Sequence, residues 1–235
     1  MNREIYENKY DVERCRWAIR IKYLRVTGVK RIALASFPRS GNTWVRFMIE
    51  KATGEKTGSK YQDRILPRSG HGIVIKTHDL DSYRYTDAVH LIRNPFDAIE
   101  SYYYFKRDVS GDKDLDWDEH VRYSVLKWYY HTEHWSQSKC SLYRIRYEDL
   151  CNDGVRQLRA LLSWLGYDLS TDRLLEVINE SGLDKMREGH PKYGSRFFRR
   201  GEIGRGIKHF NIKQRQLASE VLGEYMKLFD YEEGL

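Results

Sequence analysis

The segment Arg31-Ile-Ala-Leu-Ala-Ser-Phe37 runs directly into Pro38-Arg-Ser-Gly-Asn-Thr-Trp44, and this junction restricts the fold more than any other part of the chain. A short apolar run bounded by a proline reads as a buried strand. Val45, Met48, Ile49 and Ala52 follow at helical spacing, and Gly54 stands where a helix C-cap belongs. A strand, a glycine turn and a helix in that order expose backbone N–H groups to an anion, and the helix dipole adds positive potential there. Arg39 supplies a fixed charge, Ser40, Asn42 and Thr43 supply short donors, and Gly41 lets the chain turn. The competing reading is an ordinary strand-to-helix turn capped by Asn42.

Further strands are predicted over 72–78, 88–92 and 141–147. Helices are predicted over 96–107, over 154–165 with Gly166 as a stop, over 172–178, and from an Asn211 N-cap to Phe229. Alternating strands and helices imply an α/β fold: a P-loop-like three-layer domain with a central, mainly parallel sheet flanked by helices. Ligands on such sheets bind at the carboxyl ends of the strands, and Lys76, His78, Arg93 and Tyr147 all fall at predicted strand ends. No Pro-, Ser- or Gly-rich linker interrupts the 235 residues, so a single domain spanning 1–235 is expected. It comprises a basic helical segment over 1–30, a core over 31–210 and a C-terminal helix over 211–235. In the first segment Tyr10, Trp17, Ile21 and Leu24 alternate with Arg14, Arg16, Arg20, Lys22 and Arg25. Such a helix can lie on a membrane or pack on the core as a surface helix, and its weak amphipathicity favours packing.

The net charge of +7 suits an anionic partner: a nucleic acid, a membrane surface or a multiply phosphorylated small molecule. The longest apolar runs, near 32–37 and 73–75, fall far short of the ~20 residues of a membrane span. Residues 1–11 lack the apolar centre of a secretory signal. Cys15, Cys140 and Cys151 are odd in number and form no C-x-x-C pair, so neither a disulfide framework nor a zinc site is expected and a reducing cytoplasm is the simplest setting. Asp112-x-Asp114-x-Asp116 imitates a calcium loop, but Trp117 and Tyr123 occupy its required Gly and Glu positions. His131-x-x-His134 lacks a third ligand at helical spacing. No metal is therefore expected. A Walker A loop is absent, because no Lys follows Gly41 and no Gly lies five residues before it. The Asp-ended strand that a kinase wants for magnesium is replaced by a third strand ending in Arg93, so an ATP-driven kinase is disfavoured.

Five segments, in order, carry a resemblance. Phe37-Pro-Arg-Ser-Gly-Asn-Thr-Trp44 resembles the 5′-phosphosulfate loop of sulfotransferases that use 3′-phosphoadenosine-5′-phosphosulfate (PAPS). Lys76-Thr-His78 is similar to that family's catalytic Lys-Thr-His. Arg93-Asn-Pro-Phe-Asp-Ala-Ile-Glu-Ser101 resembles its 3′-phosphate segment, Tyr147-Glu-Asp-Leu150 its later strand end, and Phe198-Arg-Arg-Gly-Glu-Ile-Gly204 its arginine-rich C-terminal loop. Within the superfamily, residues 33–46 and Thr57-Gly-Ser59 look most like the sulfotransferase-type domains of WSC-domain proteins, without a WSC module in this chain.

The resemblance implies in-line sulfuryl transfer from PAPS, leaving adenosine 3′,5′-bisphosphate (PAP), with no metal. His78 is the implied general base, and Lys76 and Arg39 stabilise the transferring group or leaving oxygen. Arg39, Ser40, Gly41, Asn42 and Thr43 hold the 5′ end, while Arg93, Ser101, Arg199, Arg200 and Gly201 hold the 3′-phosphate. Trp44 and Tyr147 sandwich the adenine. The implied acceptor is a small molecule or a glycan, and no nucleic acid is expected as a partner. Three departures stand out. Arg39 replaces the lysine of cytosolic members. Arg205-Gly206-Ile207 replaces Asp-Trp-Lys, and with Ile207 and Gln216 the familiar dimer segment is not matched. Lys76 stands only 37 positions after Arg39, which implies a more open acceptor site. A nucleotide kinase, or a protein that binds PAP or nucleic acid without catalysis, stays open as an alternative.

Overall fold

A computed structural model describes residues 3–59, 74–188 and 201–231, with side chains from Arg14 onward. Among these the elements run α1 (Arg3–Thr27), β1 (Ile32–Ser36), α2 (Asn42–Thr53), β2 (Gly58–Ser59), β3 (Val74–Thr77) and β4 (Asp87–Ile92). They continue as α3 (Pro95–Asp108), α4 (Trp117–Ser136), β5 (Ser141–Arg146), α5 (Tyr147–Asn152), α6 (Gly154–Leu165), α7 (Thr171–Glu180), α8 (Leu183–Glu188) and α9 (Ile212–Leu228). The five strands form one sheet in the order β2-β3-β1-β4-β5, with every pair parallel.

Strand order places the ligand crevice. After β1 the chain goes to one side, to β2 and β3, and then crosses back to β4 on the other side. The carboxyl end of β1 is therefore the switch point where two crossovers diverge and leave a cleft between them. The phosphate loop sits there.

Side-chain alternation along the strands divides the core. Leu34, Val89 and Leu91 are fully buried on one face against Val45 and Met48 of α2 and Leu158 and Leu161 of α6. On the other face the small Ala33, Ala35 and Ala88 leave room for Trp135 of α4. Beyond them Ile92 packs with Phe96, Trp128, Phe210 and Leu222. Fully burying each of these large side chains contributes about 1.5–3 kcal/mol.

The expected caps are present. Gly54 and Gly166 end α2 and α6 in the left-handed conformation, and Asn211 forms a reciprocal capping box with Gln214 at the start of α9. Helix α4 is not among the helices that the sequence pattern predicts. Its buried stripe runs Val121, Val125, Trp128, Thr132 and Trp135, and Asp116 caps it by accepting from the Glu119 amide at 2.8 Å. Two indoles anchor this helix to strand ends: Trp128 Nε1 donates to the Arg93 carbonyl at 3.3 Å and Trp135 Nε1 to the Asp79 carbonyl at 3.0 Å.

Helix α1 packs on the core along one face, as the sequence favoured. Ile21 is buried, and the half-buried Trp17 ring receives the guanidinium groups of Arg31, Arg20 and Arg84 at 4.8, 5.2 and 5.6 Å. Among the described residues no helix is long and apolar enough to cross a membrane.

Candidate active site

The phosphate loop is built by two backbone excursions. Gly41 (φ 96°) precedes the first turn of α2 as its N-cap and has no side chain to offer the first-turn amides. Those N–H groups are left for an anion. A Cβ at Gly41 would lie 2.7 Å from the Tyr147 ring, so this glycine is required by close approach as well as by its backbone angle. Arg39 also holds a positive φ, 69°, a conformation that costs a non-glycine residue on the order of 1–2 kcal/mol. Its guanidinium lies 5.1 Å from the Phe105 ring, and its Nε donates to Ser101 Oγ at 3.3 Å.

Arg93 joins the two phosphate segments. Its guanidinium is nearly buried, stacks on the Tyr147 ring at 4.4 Å, and donates to the carbonyls of Arg39 (3.0 Å) and Glu202 (3.3 Å). The helix-surface ion pair with Asp97 that its i, i+4 spacing allows does not form. Asp97 is instead buried and accepts from the amides of Gly204 (2.8 Å) and Gly206 (2.6 Å), which pins the C-terminal loop on the start of α3. Gly206 meets the helix so closely that a Cβ would fall 2.3 Å from the Phe96 carbonyl. Arg205-Gly206-Ile207, where the sequence departs from the family pattern, is the stretch held here by Asp97 and Phe96. Tyr147 Oη reaches the Gly201 carbonyl at 3.2 Å, while Arg199 and Arg200 lie outside the described residues.

Lys76 and His78 project from the end of β3, whose register with β1 sets them beside the loop. His78 Nδ1 is 2.7 Å from the Ser36 carbonyl. A carbonyl only accepts, so Nδ1 carries the proton and Nε2 holds the lone pair. Desolvation, then the Lys76 charge, pulls the His78 pKa down to about 4, partly opposed by this hydrogen bond, which keeps the ring neutral near pH 7. Desolvation, then Arg46 and Arg39, brings the Lys76 pKa down to about 8. These groups share one cleft of about 790 Å³ with Arg39, Thr43, Trp44, Arg93, Ser101 and Tyr147.

The sequence pattern of the family described as "Sulfotransferase domain" matches residues 84–230, more than half of the chain. This chain belongs to the sulfotransferase domain family. A WSCD family member of Drosophila melanogaster is 30% identical over 182 residues, which cover 66% of this chain and 57% of that protein. The chain thus matches little more than half the length of that relative. Cytosolic sulfotransferase 1 of Danio rerio is 26% identical, over 83% of this chain and 82% of its own. Mouse sulfotransferase SULT7A1 complexed with PAP superimposes with a TM-score of 0.70 at 21% identity, covering 86% of this chain and 85% of that one. Retinol dehydratase in complex with androsterone and PAP gives 0.67 at 14% identity, over 84% and 80%. The α/β architecture expected from the sequence is the fold of these proteins.

Within this sulfotransferase domain two residues expected at the anion are buried. Asn42 is nearly buried and its Nδ2 donates inward to the Leu34 carbonyl (2.9 Å) and Ser36 Oγ (3.1 Å). Ser40 is fully buried rather than on the cleft wall. Trp44 and Tyr147 meet edge-on, with centroids 5.6 Å apart and planes at 64°, so they do not form a ready parallel sandwich. Tyr147 is the hub that Gly41, Arg93 and Gly201 all pack against.

The structure also adds residues. Ile178, Leu183 and Met186 of α7 and α8 give the cleft an apolar side next to Trp44, whose Nε1 donates to the Ser181 carbonyl at 3.0 Å. Lys127 and Tyr102 line the cleft near His78, with Lys127 Nζ donating to Tyr102 Oη at 3.3 Å. Buried Glu148 accepts from the Asn94 amide (2.9 Å) and the Tyr231 hydroxyl (2.7 Å), which steadies the turn that carries Arg93. Its carboxylate follows the motif tyrosine directly, and that adjacency was the one available signal. Residues 60–73, on which the expected openness of the acceptor site depends, lie outside the described residues.

Proposed function

We propose that this chain is a PAPS-dependent sulfotransferase that moves a sulfuryl group to the hydroxyl or amine of a small metabolite or glycan, in a cytoplasmic setting. One observation carries the reading: a neutral imidazole with its tautomer held by the Ser36 carbonyl stands beside a cationic cradle at the switch point of the sheet. The residues fit the donor. Arg93 Nε is a buried donor on the cleft wall without a hydrogen-bond partner among the described residues, and a phosphorylated ligand would offer an acceptor. The α2 amides and Arg39 suit the 5′ end, and Arg93 and Ser101 suit the 3′-phosphate, with Arg199 and Arg200 assigned there by sequence alone. PAPS supplies an activated sulfuryl group with a phosphate as its leaving group. His78 Nε2 takes the acceptor proton, while Lys76 and Arg39 offset the charge that gathers beside them. The fixed cations also orient the ligand before reaction.

PAP raises the melting temperature by about 5 °C or more at a concentration ~100-fold above its dissociation constant, while ATP with magnesium does so far less. Preference for ATP with magnesium would transfer the reading to a nucleotide kinase. PAP binding without transfer to any acceptor in a screen with labelled PAPS would leave a binding protein.

Lys76 supplies a pH test. Only its protonated form attracts an anion, and its pKa stands near 8 because burial disfavours the charge. PAP phosphates are fully ionised above about pH 7, so affinity falls as pH rises through about 8. Lys76→Arg stays charged and removes this alkaline limb. A limb that persists in Lys76→Arg assigns it to another group.

A further inference from the structure

Among the described residues nothing covers the outward face of α1 from Ile19 to Val26, and its chemistry is specific. Ile19, Tyr23 and Val26 are 74%, 66% and 80% exposed. At 3.6 residues per turn they fall within an arc of roughly 60°, opposite the Trp17–Ile21–Leu24 face that packs on the core. Arg16 and Arg20 border this stripe on one side and Lys22 on the other, all exposed. Between Arg14 and Arg31 the chain carries seven Arg and Lys residues and no Asp or Glu. A narrow apolar ridge flanked by cations on both sides is the layout of a helix lying in a bilayer interface, its ridge among the acyl chains and its cations at the headgroups.

We propose that α1 docks this protein peripherally on an anionic lipid surface. Charge complementarity selects that occupant. A second copy of the chain would set Arg16, Arg20 and Lys22 against the same three cations. A nucleic acid would use the cations and leave Ile19 and Val26 in water, and a free anion would do the same. Only a charged bilayer satisfies both the ridge and its borders. The placement is compatible with the cleft: Arg25 donates to the Lys139 carbonyl at 3.0 Å just ahead of β5, at the amino ends of the strands, whereas the cleft lies at their carboxyl ends.

Co-sedimentation of the full chain with vesicles tests this. The protein pellets with phosphatidylcholine vesicles holding about 30 mol% phosphatidylserine, stays in solution with phosphatidylcholine alone, and is released by salt. The triple variant I19S/Y23S/V26S binds about tenfold more weakly or worse. Arg16→Gln and Lys22→Gln each cost about fivefold. All retain the parent melting temperature, because the substituted side chains are exposed. The proposal is overturned by absent phosphatidylserine dependence or by full binding of the triple variant. It is equally overturned if light scattering shows a dimer that the triple variant dissolves, or if an oligonucleotide binds more tightly than the vesicles.

Discussion

His78→Gln lowers turnover by about 10²–10⁴-fold and leaves the dissociation constant of PAP within about threefold, the pattern of an interaction made only in the transition state. The expectation rests on the tautomer. The Ser36 carbonyl at 2.7 Å obliges Nδ1 to carry hydrogen, so the basic nitrogen is Nε2. Gln keeps a donor for that carbonyl but offers no base. The pH profile carries a second signature. His78 works when neutral, and desolvation with the Lys76 charge sets its pKa near 4. The rate for free enzyme and substrate therefore falls on the acid side as pH drops through about 4, and stays level from there to the Lys76 limb near 8. A bound anion moves both limbs upward, since it favours the charged form of each group. Loss of less than tenfold in His78→Gln, with the acid limb intact, would remove His78 from the chemistry.

Arg93→Gln weakens PAP binding by about 10–150-fold, the equivalent of one charge-assisted contact. Arg93 also has a structural part, because its guanidinium ties the Arg39 carbonyl to the Glu202 carbonyl and covers Tyr147. A comparison of ligands separates the two. Adenosine 5′-phosphate lacks the 3′-phosphate, so Arg93→Gln changes its affinity little if Arg93 grips that group. Equal losses for both ligands would mean that the variant merely loosens the loop. Raised salt should weaken PAP binding to the parent more than to Arg93→Gln.

Local signals made much of the site legible. Gly41 between a strand and a helix announces a turn that only its neighbours' backbone can line, and the alternation Lys76-Thr-His78 puts both functional side chains on one strand face. The pattern is short-range, and short-range sterics decide it. Helix α4 escaped because its buried face mixes two Val with His, Ser, Thr and Trp rather than running in Leu and Ile, and the Asp-x-Asp-x-Asp run before it looks like a loop. With it went Lys127, and the two indole anchors that hold α4 against the ends of β3 and β4.

Sequence alone determined the elements whose hydrogen bonds and caps are local, the parallel α/β class, and the residue types gathered at the strand ends. Tertiary structure alone decided which of those residues face the cleft. Asn42 turns inward to two acceptors on β1, Asp97 serves the Gly204 and Gly206 amides rather than Arg93, and Tyr147 becomes a hub for three segments distant in the chain. A buried polar group must find a partner. Asn42 finds its two on the preceding strand, but those of Asp97 and Tyr147 lie tens of residues away, where no spacing in the sequence records the choice.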